Sequence, residues 1–229
     1  MRVIGIGAGG HAKVMIEILR LMGGCELVGL LDREKALQDR EILGVRVLGD
    51  DTLLPALYAK GLRHAFLGIG TIGDTSHRRS VYESVRRAGF QMIRVVHPQA
   101  VIAPSATIGE GLTIMASVVI NAEARIGTNV IVNTGAIVEH DCIIGDHAHV
   151  ATGARLSGGV EVKDGAHIGV GAAIKQGVTI GAGAIVGAGA VVIRDVKAGS
   201  TVVGNPAYEP DQHLVGSPPA YRDSREVAA

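Results

Sequence analysis

The chain has 229 residues, enough for one large domain or two modest ones, with 47% hydrophobic and 19% charged side chains. Its 22 Lys+Arg balance its 22 Asp+Glu, which excludes the basic excess of a nucleic-acid or membrane-surface binder. Two cysteines, Cys25 and Cys142, are too few for a disulfide scaffold, and no apolar run reaches transmembrane length. The opening Met-Arg-Val-Ile-Gly lacks a secretory layout, so a cytoplasmic location without membrane insertion is expected. Glycine is abundant at 33 residues, whereas aromatics are 3% and Trp is absent. That balance points to tight turns and small interior side chains rather than a ring-filled core.

In chain order, Val3, Ile4 and Ile6 predict a buried strand, followed by the turn Gly7-Ala8-Gly9-Gly10 and His11. Val14, Ile18, Leu19 and Met22 then predict a helix that Gly23-Gly24 ends. A second strand runs from Leu27 to Leu31 and closes at Asp32. Val45, Val47 and Leu48 suggest a short strand, and Leu53, Leu54 and Leu57 a helix before Gly61. Ala65 to Ile69 read as a strand ending at Gly70, and residues 77–88 as a helix. Alternating strands and helices imply a parallel sheet with right-handed crossovers. The glycine turn would let an anionic ligand approach the helix N-terminus, and Asp32 stands where a sugar hydroxyl could be bound. The glycines diverge from the full dinucleotide fingerprint, so a tight turn without a ligand remains open. His11 is equally readable as a ligand contact or as a solvent-facing helix start.

From residue 102 to 192 the pattern changes to one beat of six. Ile102, Ile108, Ile114, Ile120, Ile126, Val132, Val138, Ile144, Val150, Leu156, Val162, Ile168, Ile174, Ile180, Val186 and Val192 follow without exception. A small residue usually stands two places before each, and Gly or Asn often one place after. Six residues make one flat side and one turn, and three sides close a triangular coil in which the branched residues stack inward. At about 4.8 Å per coil, five coil steps give a prism roughly 24 Å tall. Gly and Asn after the inward residue are expected to supply left-handed corners. Val118, Val119 and Val130, outside the stack of inward residues, are expected on its surface as contacts for neighbouring coils.

Reactive groups stand out against this background. Glu139-His140-Asp141 follows the inward Val138, so His140 should reach a corner or outer face. Asp141 beside it could orient the ring and raise its pKa, as a general base requires, although a solvated charged corner fits the same residues. His147 and His149 form a second cluster, with His149 half a coil beyond His140. These residues lack a recognised zinc spacing, so no metal site is expected. Cys142 falls at an inward small-residue position, which suits a core residue better than a nucleophile.

Three segments in order carry a family resemblance: Gly7-Ala8-Gly9-Gly10-His11-Ala12-Lys13-Val14, Val138-Glu139-His140-Asp141-Cys142 with Ile144-Gly145-Asp146, and Gly204-Asn205-Pro206-Ala207. The chain resembles the NeuD/PglD-like sugar acetyltransferases, hexapeptide-repeat acyltransferases that use acetyl-CoA. The resemblance implies an α/β Rossmann-like nucleotide-sugar-binding domain (1–97), a left-handed parallel β-helix acetyltransferase domain (98–207) and a C-terminal tail (208–229). It implies a homotrimer with sites between subunits. His140 would be the catalytic proton acceptor and Asp141 its partner. His149 and the backbone at Gly158 would lie along acetyl-CoA, and Gly10, His11, Asp32 and Gly70 around the nucleotide end of the sugar substrate. The expected activity is N-acetylation of a nucleotide-linked amino-dideoxysugar, UDP-linked in first place and GDP- or dTDP-linked otherwise. O-acetylation of sialic acid and a non-catalytic nucleotide-sugar-binding scaffold trimer are the alternatives.

Overall fold

The computed structural model describes residues 1–210; most of the expected 208–229 tail lies outside the described residues. Residues 2–92 build one sheet from β1 (Arg2–Ile6), β2 (Glu26–Leu31), β3 (Glu41–Ile42), β4 (Val45–Gly49), β5 (His64–Leu67) and β6 (Gln91–Met92). The strand order is β3-β4-β2-β1-β5-β6. All pairings are parallel except the small β3–β4 hairpin, which the sequence pattern does not announce. The helices are α1 (Gly10–Met22), α2 (Leu54–Ala59) and α3 (Ser76–Arg87). With β1 central, the turn into α1 lies at the carboxyl edge of the sheet, where ligands bind in open parallel sheets.

Helix α1 buries Ala12, Met15, Ile16, Ile18 and Leu19, whereas Val14 and Met22 of the expected stripe stay exposed. The difference has a cause beyond the sheet. Met15 and Ile16 share a core with Val95 and Met115, and the Thr113 hydroxyl contacts the Met15 sulfur at 3.4 Å. Helix α1 is therefore wedged between its own sheet and the repeat region.

The repeat region forms three parallel sheets of two-residue rungs, each rung pairing with the one 18 residues later except the last on the first face, where Ile185–Val186 pairs with Thr201–Val202. The first face begins at β7 (Val95–Val96) and runs through Thr113–Ile114, Ile131–Val132, His149–Val150, His167–Ile168 and Ile185–Val186 to Thr201–Val202. The second carries Val101–Ile102, Val119–Ile120, Ile137–Val138, Arg155–Leu156, Ala173–Ile174 and Val191–Val192. The third carries Thr107–Ile108, Arg125–Ile126, Ile143–Ile144, Glu161–Val162 and Thr179–Ile180. The first rung thus precedes residue 97, and Val196 and Val202 extend the stack past 192. Every inward residue of the series is buried except Ile102 and Ile108, which are half-buried at one end. Each side chain so enclosed contributes about 1.5–3 kcal/mol.

Two details differ from expectation. Val118 and Val130 are wholly buried, because they occupy the inward small-residue position two places before Ile120 and Val132; Val119 alone of the three points outward. The left-handed corners fall three residues after the inward one, not directly after it. Asn129, Asp141, His147, Gly153 and Gly159 all have φ between 55° and 66°. Glycine after the inward residue answers a different need. A Cβ on Gly109 would lie 2.5 Å from the Gly127 carbonyl oxygen, and one on Gly181 would lie 2.3 Å from the Ala198 nitrogen. Coils stack too closely there for a side chain.

Candidate active site

The β1–α1 turn is held open for a ligand by its own sequence. Gly7 has φ +100° and donates its N–H to the Leu31 carbonyl at 2.7 Å. A Cβ there would meet Ile69 at 2.6 Å, so both backbone and space require glycine. Above Gly9 and Gly10 a Cβ would meet nothing, and these residues edge a cavity of about 640 Å³. Asp32, also in the lining, accepts the Ala8 N–H at 2.7 Å and the Glu34 N–H at 2.8 Å. Its first task is therefore to fix the turn. Each carboxylate oxygen retains a lone pair that can face a ligand hydroxyl.

The sequence left His11 open between ligand contact and solvent. The ring packs against Gly70, lines the cavity and has a buried Nε2 without a protein partner. Burial, then the Arg78 charge, lowers its pKa to about 3, so it is neutral.

The cavity does not end at the sheet. Its far wall is the first face of the coil, with Asn133 and His149. His149 Nδ1 lies 3.1 Å from the Thr71 carbonyl oxygen and 2.8 Å from the Thr71 hydroxyl. A carbonyl only accepts, so the ring proton is on Nδ1 and Nε2 holds a lone pair. The Asn133 amide donates toward that Nε2 at 3.4 Å. Desolvation first, then the neighbours His167, His11 and Arg78, lower the His149 pKa to about 3. This neutral ring presents an acceptor to the cavity and cannot donate a hydrogen bond from Nε2 to an oxyanion.

His140 occupies another part of the coil. It follows the rung Ile137–Val138 at the corner between the second and third faces. Its Nδ1 lies 2.7 Å from Asp141 Oδ2, so the proton sits on Nδ1 and Nε2 is free to accept another. The hydrogen bond to Asp141 is the largest cause of a raised His140 pKa. The Glu139 carboxylate is held by the Asn121 amide at 2.9 Å. Gly158, one coil further on, lies directly against the imidazole; a Cβ there would be 2.5 Å from His140 Cε1. Cys142 is fully buried, and burial pushes its thiol pKa up, which leaves it unsuited to nucleophilic attack.

One chain thus gathers Gly10, His11, Asp32, Gly70 and His149 at the cavity, and His140, Asp141 and Gly158 at an open corner. The dyad side chains are exposed, 62% and 65%. His149 and Gly158, expected along one ligand, are not together within a protomer. His147 lies elsewhere again, against Tyr82 and the Asn129 amide. Sequence reading did not single out Thr71, Asn133, or the Arg33–Asp51 ion pair at 2.6 Å on the cavity rim. Thr71 follows Gly70 directly and Asn133 follows an inward valine, but neither position reveals its partner in another domain.

A parallel-sheet domain with a glycine turn at its carboxyl edge, seated on a six-residue coil bearing a His–Asp dyad, defines a hexapeptide-repeat transferase with an α/β front domain. The PglD N-terminal domain family matches residues 2–85, and the bacterial transferase hexapeptide family (six repeats) matches residues 123–158. Perosamine N-acetyltransferase PerB of Caulobacter crescentus, solved with CoA and GDP-perosamine, is 43% identical with TM-score 0.85, over 92% of this chain and 98% of that one. The acetyltransferase domain of PglB from Neisseria gonorrhoeae FA1090, solved with acetyl coenzyme A, is 35% identical with TM-score 0.83, over 91% and 98%. A curated relative, UDP-N-acetylbacillosamine N-acetyltransferase of Bacillus subtilis (strain 168), is 36% identical over 111 residues, spanning 48% of this chain and half of the relative. The chain belongs to the PglD-like hexapeptide-repeat sugar acetyltransferase family, and its coil is the left-handed parallel β-helix of that family.

Proposed function

We propose that this protein transfers the acetyl group of acetyl-CoA to the amino group of a nucleotide-linked amino sugar, with His140 as general base. The observation that carries the reading is the dyad: Nδ1 is engaged by Asp141 while Nε2 stays free on an accessible corner. The neutral amine attacks the thioester carbonyl carbon. His140 Nε2 takes the proton released as the new C–N bond forms, and returns it to the departing CoA sulfur. Juxtaposing two bound substrates supplies much of the rate gain. The nucleotide end of the sugar substrate lies in the cavity, with its diphosphate over Gly9 and Gly10 and its sugar toward Asn133 and the Nε2 acceptor of His149.

The active unit is a homotrimer. The outward residues of the second face are Val101, Val119, Ile137, Ala173 and Val191, interrupted by Arg155. A second copy seated there buries this apolar strip and brings one subunit's His140, with acetyl-CoA along Gly158, to its neighbour's cavity. The 43% identity to the GDP-perosamine enzyme over nearly the whole chain supports a GDP-linked acceptor ahead of the UDP-linked one expected from sequence. Thiol release from acetyl-CoA should be measured with GDP-, UDP- and dTDP-linked amino sugars and with sialic acid. Turnover with a nucleotide-linked amine is expected. Turnover with sialic acid alone would make the protein an O-acetyltransferase, and binding without turnover would leave a scaffold.

The base must be neutral to act. Because Asp141 raises the His140 pKa, the acid limb of kcat/KM should lie above the ordinary histidine value of 6.5. Asp141→Asn removes the charge and the strongest of these interactions, so the limb should move to lower pH while kcat falls. A pH–rate profile checks this, and an unmoved limb would assign the titration to another group.

A further inference from the structure

Arg78 is an unusual residue for its position. It stands in the first turn of α3, is only 2% exposed, and has no carboxylate partner among the described residues. Its Nη1 donates to the carbonyl of Ile69 and, at 3.4 Å, to that of Leu67. Its Nε and Nη2 have no protein partner. A buried guanidinium without a counter-charge is costly, and apolar replacements of such groups are often neutral or stabilising. Even with its pKa lowered by burial to about 9, it remains cationic at neutral pH.

What surrounds it gives that charge a direction. Its sequence neighbour His77 and Val81, one turn on, line the cavity, as do Ile69, Gly70 and Thr71 of the segment it grips. His11 and His149 both sense the Arg78 charge; His149 is buried, and His11 has a buried Nε2. His167 packs edge-on beneath His149 at 4.9 Å, with its Nδ1 also lacking a protein partner. Two neutral imidazoles, His11 and His149, therefore line the cavity that the turn at Gly9 and Gly10 edges, and His167 and the fixed cation of Arg78 lie behind that lining. The polarity suits an anion on the cavity side, next to the N–H groups at the start of α1.

We propose that Arg78 is a positioning residue that supplies the fixed positive charge behind the nucleotide sugar's diphosphate and, through the Ile69 carbonyl, holds Thr71 against His149. The proposal rests on the reading of the cavity as the nucleotide-sugar site. Arg78 touches no substrate atom. Its charge acts across one layer of protein, where screening is weaker than in water.

The test uses the full chain. Arg78→Met removes the charge and keeps the length. Its affinity for GDP or UDP, measured by calorimetry, should fall about tenfold or more, while affinity for the matching nucleoside and for CoA is unchanged. Its Tm should equal or exceed that of the wild type. Arg78→Lys restores the charge but not the two-carbonyl grip, so it should recover most of the GDP or UDP affinity while kcat stays low. A lower Tm with parallel losses for nucleoside and nucleotide, or an unchanged nucleotide affinity, would overturn the proposal. A wild-type chain that binds neither GDP nor UDP would instead remove the cavity reading, and the proposal with it.

Discussion

His140→Ala should lower kcat for acetyl transfer by about 10²- to 10⁴-fold, the usual worth of a positioned general base. The reason is local. Among the described residues no other imidazole stands at that corner: His147 packs against Tyr82, and His149 is committed by the Thr71 carbonyl to a buried ring on another face. The substitution should not disturb the fold, because the His140 side chain is exposed and the inward Val138 is untouched. Sedimentation should report the same mass for variant and wild type, three times 23.6 kDa if the trimer holds. Affinity for both substrates should persist. Turnover within a factor of about three of wild type would remove His140 from the chemistry.

Gly158→Ala should be nearly as damaging, although it adds one methyl group. Gly158 does not have a positive φ, so alanine is acceptable to the backbone. The obstruction is the imidazole. A Cβ would fall 2.5 Å from His140 Cε1 and 2.6 Å from Nε2, inside any real contact. The ring must rotate away, which breaks its alignment with Asp141 and displaces the accepting nitrogen. Misplacement of about 1 Å is worth roughly 10²-fold in rate. The methyl also narrows the channel proposed for acetyl-CoA. Assays should show kcat falling by about that factor, with circular dichroism and Tm close to wild type. Full activity in this variant would show that the ring need not lie over residue 158 during turnover.

The coil was legible to the residue because its signal is periodic. One inward position every six residues fixes the register of Ile126, Ile144 and Val162, and the structure pairs their rungs directly. The strand–helix order of the front domain was legible for the same reason. What failed was reading chemistry from composition at single positions. Glycine after the inward residue suggested a left-handed corner, whereas Gly109 and Gly181 meet a steric limit from the next coil. Asp141 and His147 took the left-handed positions instead. The dyad could be read because its members are adjacent. The Thr71–His149 contact spans 78 residues and two domains, and Arg78 has no sequence signature that separates it from the surface arginines Arg79, Arg86 and Arg87 beside it. Val14 marked the helix correctly by its spacing, but spacing alone did not show that its exposed side chain lines the cavity.

The placement of the dyad within the stack has a mechanical consequence. In an array whose units contact only their neighbours, fraying begins at the ends and loses little per step. Ile102 and Ile108, half-buried at one terminus, are where such unzipping starts. His140 stands on an outer corner midway along the prism, with closed turns above and below it. Breathing at either end should be spent before it reaches the imidazole, so the His140–Asp141 corner is expected to keep its shape while the extremities of the same coil loosen.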